Sequence, residues 1–191
     1  FECGVLNGRV QPGNSVAIVG AGPIGLASLL TAQFYSPAQI IMIDTNAARL
    51  EVANRLGATA CIDVSSEDAV AAVKRLTDGV GVDCAIEAVG VPATFELCQQ
   101  LVAPGGVIAN IGVHGVKADL HLETLWSQNI AITTRLVDTV STPMLLKTVR
   151  SGKLQPGQLI THRFTLEDIL SAYDTFRNAG ESHALKVIIA A

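Results

Sequence analysis

Ser15-Val16-Ala17-Ile18-Val19-Gly20-Ala21-Gly22-Pro23-Ile24-Gly25 is a short apolar run that closes in a G-x-G-x-x-G loop and opens onto a helical pattern. That strand–loop–helix context turns a weak glycine motif into a specific one. Gly20 permits the tight turn after the strand. Gly22 has no Cβ, so a pyrophosphate can approach the backbone. Gly25 lets the helix pack closely on the strand. Pro23 sits in the first helical turn, where a missing N–H costs nothing, and Ile24 follows it. The helix N-terminus presents free N–H groups and a positive dipole end to an anion.

Outward from this loop the chain repeats one rhythm. After the first strand (residues 15–20) and helix (22–34) come a strand at 39–44 and a helix at 46–56, ended by Gly57. A third strand (58–62) and helix (66–76) follow, then a fourth strand (82–87) and a helix from Pro92 to 102. Residues 105–112 read as a fifth strand and 130–136 as a sixth. Strands alternating with helices imply βαβ units, a parallel sheet and right-handed crossovers. The fold class expected is α/β, a doubly wound six-stranded sheet in the order 3-2-1-4-5-6. After about residue 138 the rhythm changes. A helix (142–150), a turn at Gly152, Pro156 and Gly157, a strand (159–164), a helix (166–178) and a last strand (185–190) do not extend the six-strand pattern. The domain reading is therefore 1–138 and 139–191.

In such a sheet the ligand lies across the carboxyl ends of the strands. Asp44 ends the second strand about 20 residues beyond the glycine loop, where a carboxylate accepts both hydroxyls of an adenine ribose. A 2′-phosphate there would meet a negative charge, which favours NAD over NADP. Arg49 works against that preference, since a cation beside the ribose tolerates a phosphate; Asp44 is the more directly placed group. The fourth strand runs out into Ala88-Val89-Gly90 and the fifth into Ile111-Gly112-Val113, small or slim residues over which the nicotinamide half could lie.

Composition closes off other classes. Of 191 residues 49% are hydrophobic and 16% charged, against about 25% charged in an ordinary soluble domain. So apolar a chain is not disordered. Its longest apolar runs, such as 105–112, fall short of the ~18–20 residues of a membrane span, so no membrane partner is expected. A net charge of −4 gives nucleic-acid binding no electrostatic support. Cys3, Cys61, Cys84 and Cys98 form no C-x-x-C pair, and reduced thiols in a cytoplasmic protein are the expectation. His114, His121, His162 and His183 show no i, i+4 spacing and no acidic residue placed to orient them. Surface or locally hydrogen-bonded roles are expected of them, because zinc needs three or four convergent ligands.

Several segments together resemble the medium-chain zinc-dependent alcohol dehydrogenases. They are FECGVLNGRVQPG at 1–13, VAIVGAGPIGL at 16–26, RLEVANRLGAT at 49–59, GVGVDCAIEAVG at 79–90, Pro104-Gly105-Gly106, and HALKVII at 183–189. The likeness runs over nearly the whole chain, and bacterial secondary-alcohol dehydrogenases are the branch it looks closest to. The resemblance implies a subunit in which a GroES-like catalytic domain comes first, the Rossmann domain follows, and the chain then returns to the catalytic domain. Residues 1–12 would be a connecting helix from the catalytic domain and 139–191 the return to it. The catalytic zinc ligands would lie upstream of Phe1, with Cys3 on the connecting helix past the ligand position. The 191 residues alone are then expected to bind NAD without oxidising alcohols.

Carried over by position, Gly20, Gly22, Pro23, Ile24 and Gly25 match the pyrophosphate loop, Asp44 the ribose carboxylate, and Arg49 the basic residue beside that ribose. Ile111 and Val113 match the strand end touching the nicotinamide, and Lys186 lies near a phosphate-contacting base. Arg135, in ITTRLVD at 132–138, stands where relatives often carry glycine and the backbone helps hold the carboxamide. The resemblance implies zinc as a Lewis acid on the bound alcohol and hydride transfer between an alcohol or ketone and NAD. It also implies a homodimer through the edge strand 130–136, and a tetramer of the full-length protein. Two other readings stand beside it: a non-catalytic dinucleotide-binding or redox-sensing module, and a zinc-free quinone reductase using NADPH, against which Asp44 argues.

Overall fold

The structure is a computed structural model, and it describes residues 1–190. It divides into two compact units, Phe1–Asp138 and Thr139–Ala191.

In the first unit a short helix α1 (Cys3–Asn7) precedes β1 (Ser15–Val19) and α2 (Pro23–Ala32). Then come β2 (Gln39–Asp44), α3 (Ala47–Arg55), β3 (Ala60–Asp63), α4 (Ala69–Leu76), β4 (Val82–Glu87) and α5 (Pro92–Leu101). The unit closes with β5 (Val102–Asn110), α6 (Leu122–Leu125) and β6 (Ala131–Thr134). All pairings are parallel. The sheet order is β3-β2-β1-β4-β5-β6, as expected from the alternation. The chain reverses its winding between β1 and β4, and that switch opens a crevice at their carboxyl ends.

The central strands are apolar along their whole length because helices cover both faces. Val16 to Val19 and Ile40 to Ile43 are all buried, and so are Cys84, Ala85 and Ile86. Ala17, Val19, Ile41, Ile43, Ile62, Val73, Leu101 and Ile108 belong to one continuous core on one side of the sheet. Side-chain caps start two of the helices. Asn46 Oδ1 accepts the Arg49 N–H before α3, and Asp68 Oδ1 accepts the Ala71 N–H before α4.

Several boundaries differ from the sequence expectation, and three of them have a visible cause. The fourth helix starts at Ala69 and not Ser66, because residues 63–66 form a turn in which Asp63 Oδ1 accepts from the Ser65 N–H and hydroxyl. The fifth strand starts at Val102, because Pro104-Gly105-Gly106 is absorbed as an irregularity between Val82 paired to Val102 and Cys84 paired to Val107. The sixth strand stops at Thr134, since its partner β5 ends at Asn110.

The second unit contains α7 (Thr142–Arg150), β7 (Ile160–Thr165), α8 (Ile169–Arg177), α9 (Ala179–Ser182) and β8 (Lys186–Ala190). β7 and β8 form a two-stranded parallel sheet of their own. No helix among the described residues is long and apolar enough to cross a membrane.

Candidate functional site

The glycine loop leaves β1 with Gly20 at φ +105°, a conformation that excludes ordinary side chains. Its N–H donates to Ile43 O at 2.8 Å, so the turn is welded to β2. Gly22 is the N-cap of α2 and Pro23 its first residue. A side chain at Gly22 would meet nothing within 4 Å, so the loop backbone faces open space. A Cβ at Gly25 would run into the Gly20 carbonyl, which is the close helix–strand approach that glycine permits there. The first-turn N–H groups of α2 have no partner within the helix, and no side chain caps them.

Asp44, at the end of β2, has one oxygen on each side of this turn. Oδ2 accepts the Ala21 N–H at 2.6 Å and Oδ1 the Asn46 N–H at 2.8 Å. It is not the cap of α3, a role that falls to Asn46. Sequence spacing located the carboxylate but not its bond to the loop, which depends on β1 and β2 being neighbours. Each carboxylate oxygen keeps a free lone pair for a ligand hydroxyl.

Two hollows flank these groups. The larger, a crevice of about 860 Å³, is bordered by Gly20, Gly22, Asp44, Arg49, Ala88 and Val89. The Arg49 guanidinium meets no carboxylate among the described residues. The smaller, about 430 Å³, is bordered by Cys3, Ile24, Ile111, Val113 and Arg135. Ten of the thirteen residues singled out from sequence therefore line one hollow or the other. Pro23 and Gly25 act from behind, by starting α2 and packing it on β1. Lys186 opens β8 in the second unit, exposed. The Arg135 guanidinium is held by Asp138, with Nε at 3.1 Å from its carboxylate.

The histidines depart from expectation at two places. His121 Nδ1 lies 2.9 Å from Glu123 Oε1, with Glu96 at 3.8 Å. The Glu123 carboxyl is held below the usual range by its own backbone N–H and then by His121. His114 Nε2 lies 2.9 Å from Asn110 Oδ1 and 3.4 Å from Glu87 Oε2. Glu123 stands two positions from His121 and was legible in the sequence, whereas Glu87 was invisible to a search of positions near His114, because it comes from the end of a different strand. Its signal in the sequence was an acid at the end of a short apolar run, CAIE at 84–87. Among the described residues no three of His, Cys, Asp and Glu converge as metal ligands. All four cysteines are unpaired. Burial pushes the Cys84 thiol up to about 12, helped by Asp83, and the Cys98 thiol well above its ordinary value.

A six-stranded doubly wound sheet with this loop and carboxylate defines a dinucleotide-binding class of domain, and the chain belongs to the zinc-binding dehydrogenase family, whose pattern matches residues 23–149. It is 34% identical to an alcohol dehydrogenase of Cupriavidus necator over 97% of this chain and 52% of that protein. Its fold matches the apo zinc-dependent alcohol dehydrogenase 2 of Streptococcus pneumonia with a TM-score of 0.95 and 52% identity, over 98% of this chain and 55% of the other. A zinc-binding dehydrogenase of Sinorhizobium meliloti 1021, solved bound to NADP, matches with a TM-score of 0.88 and 26% identity, over 98% of this chain and 55% of the other. The chain spans about half the length of the curated relatives it matches.

Proposed function

We propose that these residues form the cofactor-binding part of an NAD-dependent alcohol dehydrogenase, an oxidoreductase acting on a small alcohol or ketone. The observation that carries this reading is Asp44, tied by Oδ2 to the glycine loop and bordering the larger crevice. The residues fit a dinucleotide. Gly22 and the first turn of α2 would take the pyrophosphate, Asp44 the adenosine ribose, and Arg49 its flank. Ala88 and Val89 would wall the crevice. Ile111 and Val113 would pack beside the nicotinamide, with the backbone at Arg135 near its carboxamide. When bound, the nicotinamide supplies the carbon that accepts or returns a hydride. The chain's own residues bind it, orient it and exclude water from one side.

The described residues do not fit a zinc ion, since no three ligating side chains meet. In this reading residues 139–191 belong to a second domain, and the protein works in the cytoplasm, which the four unpaired thiols support. We also propose that β6 pairs with its own copy. It is the terminal strand of the sheet, Ile132 is exposed there, and β-branched residues fill it. An open edge of that kind is an association site unless covered, and a two-fold axis would cover both copies at once.

Titrating NAD and NADP against the unmodified chain and Asp44→Gly tests the assignment. Loss of charge-assisted hydrogen bonds of about 1.5–3 kcal/mol should weaken NAD roughly tenfold or more and move the preference toward NADP. An unchanged preference would reduce Asp44 to a residue of the turn.

A further inference from the structure

Glu87 ends β4 with its side chain wholly buried. Oε1 accepts three hydrogen bonds, from Val89 N–H at 3.0 Å, Gly90 N–H at 2.8 Å and the Thr94 hydroxyl at 2.6 Å. Oε2 has no hydrogen-bond partner, and His114 Nε2 lies 3.4 Å from it. Gly112 lies so close to Oε2 that a Cβ there would collide with it. The main chain repeats the link, with the Ile111 and Gly112 N–H groups both donating to Glu87 O.

His114 completes the arrangement. Asn110 Nδ2 donates to Gly112 O at 3.3 Å, which leaves Asn110 Oδ1 as the acceptor facing His114 Nε2. The network thus assigns the ring proton to Nε2, where it points to Asn110 and lies within reach of Glu87. Nδ1 is buried without a partner. Phe95 meets the ring edge-on at 6.1 Å. A buried carboxylate is costly unless its oxygens are met; here Oε1 is met from the exit of β4, and Oε2 faces His114 Nε2, 3.4 Å away at the exit of β5. Val89 and Thr94 border the larger crevice, while Asn110 and Gly112 border the smaller.

We propose that Glu87 and His114 are positioning residues that clamp the exit of β4 to the exit of β5, holding the lip 111–113 where it accepts the nicotinamide half of the dinucleotide. The proposal rests on the reading of the two hollows as one cofactor site. It concerns a contact that neither residue makes with the cofactor itself.

The chemistry of the clamp dictates its test. In Glu87→Gln the amide oxygen can still accept from Val89, Gly90 and Thr94, but the amide nitrogen then faces the His114 N–H, donor against donor. The β5 side is broken and the β4 side kept. In His114→Gln the side-chain nitrogen stands as many bonds from Cα as Nε2 does, so the donor survives. In His114→Asn the donor is moved to the place of Nδ1 and lost.

NADH affinity, from its fluorescence, and ADP-ribose affinity, from calorimetry, are to be measured on the 191-residue chain and these variants. Glu87→Gln and His114→Asn should each weaken NADH about tenfold while ADP-ribose, which lacks the nicotinamide, changes less than about threefold. His114→Gln should hold NADH within about threefold of the unmodified chain. Equal losses for NADH and ADP-ribose, or equal behaviour of His114→Gln and His114→Asn, would overturn the clamp while leaving the dinucleotide site standing. An unmodified chain that binds neither ligand would overturn the site and the clamp together. If Glu87→Gln does not fold, the two His114 variants decide the matter alone.

Discussion

The strands of the two units are built on opposite patterns. β1, β2 and β4 are buried along almost their full length, whereas β7 alternates half-buried with exposed residues from end to end. In the second unit α8 leaves Leu170, Tyr173 and Phe176 exposed, and only Ala172 on that helix is buried. The first unit thus carries a closed core between two helical layers. In the second unit Leu154, Leu159, Ala172, Ala184 and Leu185 are buried, while Leu170, Tyr173 and Phe176 of α8 are exposed in the residues described. The difference shows that apolar content alone does not make a core, since both units are rich in it; coverage on both faces does.

The sharpest way to break this contrast is a matched pair of deletions. Ile108 on β5 is fully buried, and Ile189 on β8 is 39% exposed. Ile108→Ala should cost roughly 2–5 kcal/mol, through lost transfer energy and a residual cavity. Ile189→Ala should cost about 1 kcal/mol or less. Urea unfolding of the chain reads both, and equal costs would mean that the second unit has a core as tight as the first.

A proline at the sheet's edge probes a middle case, a strand covered on one side only. Ile132→Pro would remove a backbone donor from β6 and should convert the proposed dimer to monomer in analytical ultracentrifugation, with NADH binding still detectable. Sedimentation of the unmodified chain as a monomer at micromolar concentration would sink the proposed pairing.

The smallest effect concerns the buried thiols of the first unit. Burial, and then Asp83, pushes the Cys84 thiol from the ordinary 9.0 up to about 12, and Cys98 is raised in the same sense. A raised thiol adds stability that is present below pH 9 and lost as pH climbs toward 12, because the unfolded chain sheds its proton first. Between pH 8 and 9.5 the Cys84 thiol should take away roughly 0.8 kcal/mol. The fall in urea midpoint over that range should shrink in Cys84→Ala; an identical fall in both proteins would show that Cys84 is not the source.

Local patterns were enough for much of this. An uninterrupted apolar run such as IIMI at 40–43, short and rich in β-branched residues, reads as a strand covered on both faces. The glycine loop announces a strand-to-helix turn, and the distance from Gly25 to Asp44 follows from the length of one βαβ half. These signals lie within a few residues of one another, or at a spacing set by a single supersecondary unit, so the order of strands and nine residues lining the hollows were legible before any coordinates, while Arg135 came from the family resemblance.

The rest depended on which strand ends meet. Asp44 bonds Ala21 because β2 lies beside β1, and Glu87 reaches His114 because β4 lies beside β5. A search for an acidic partner near His114 in sequence fails for the same reason: the partner stands one strand and one helix away. The length of β6 was likewise decided by where β5 stops. Periodicity reports the face a residue turns inward, because that is a property of its own backbone. A hydrogen bond between two strand ends is a property of the assembled sheet, and it exists only once the crossovers have brought those ends together.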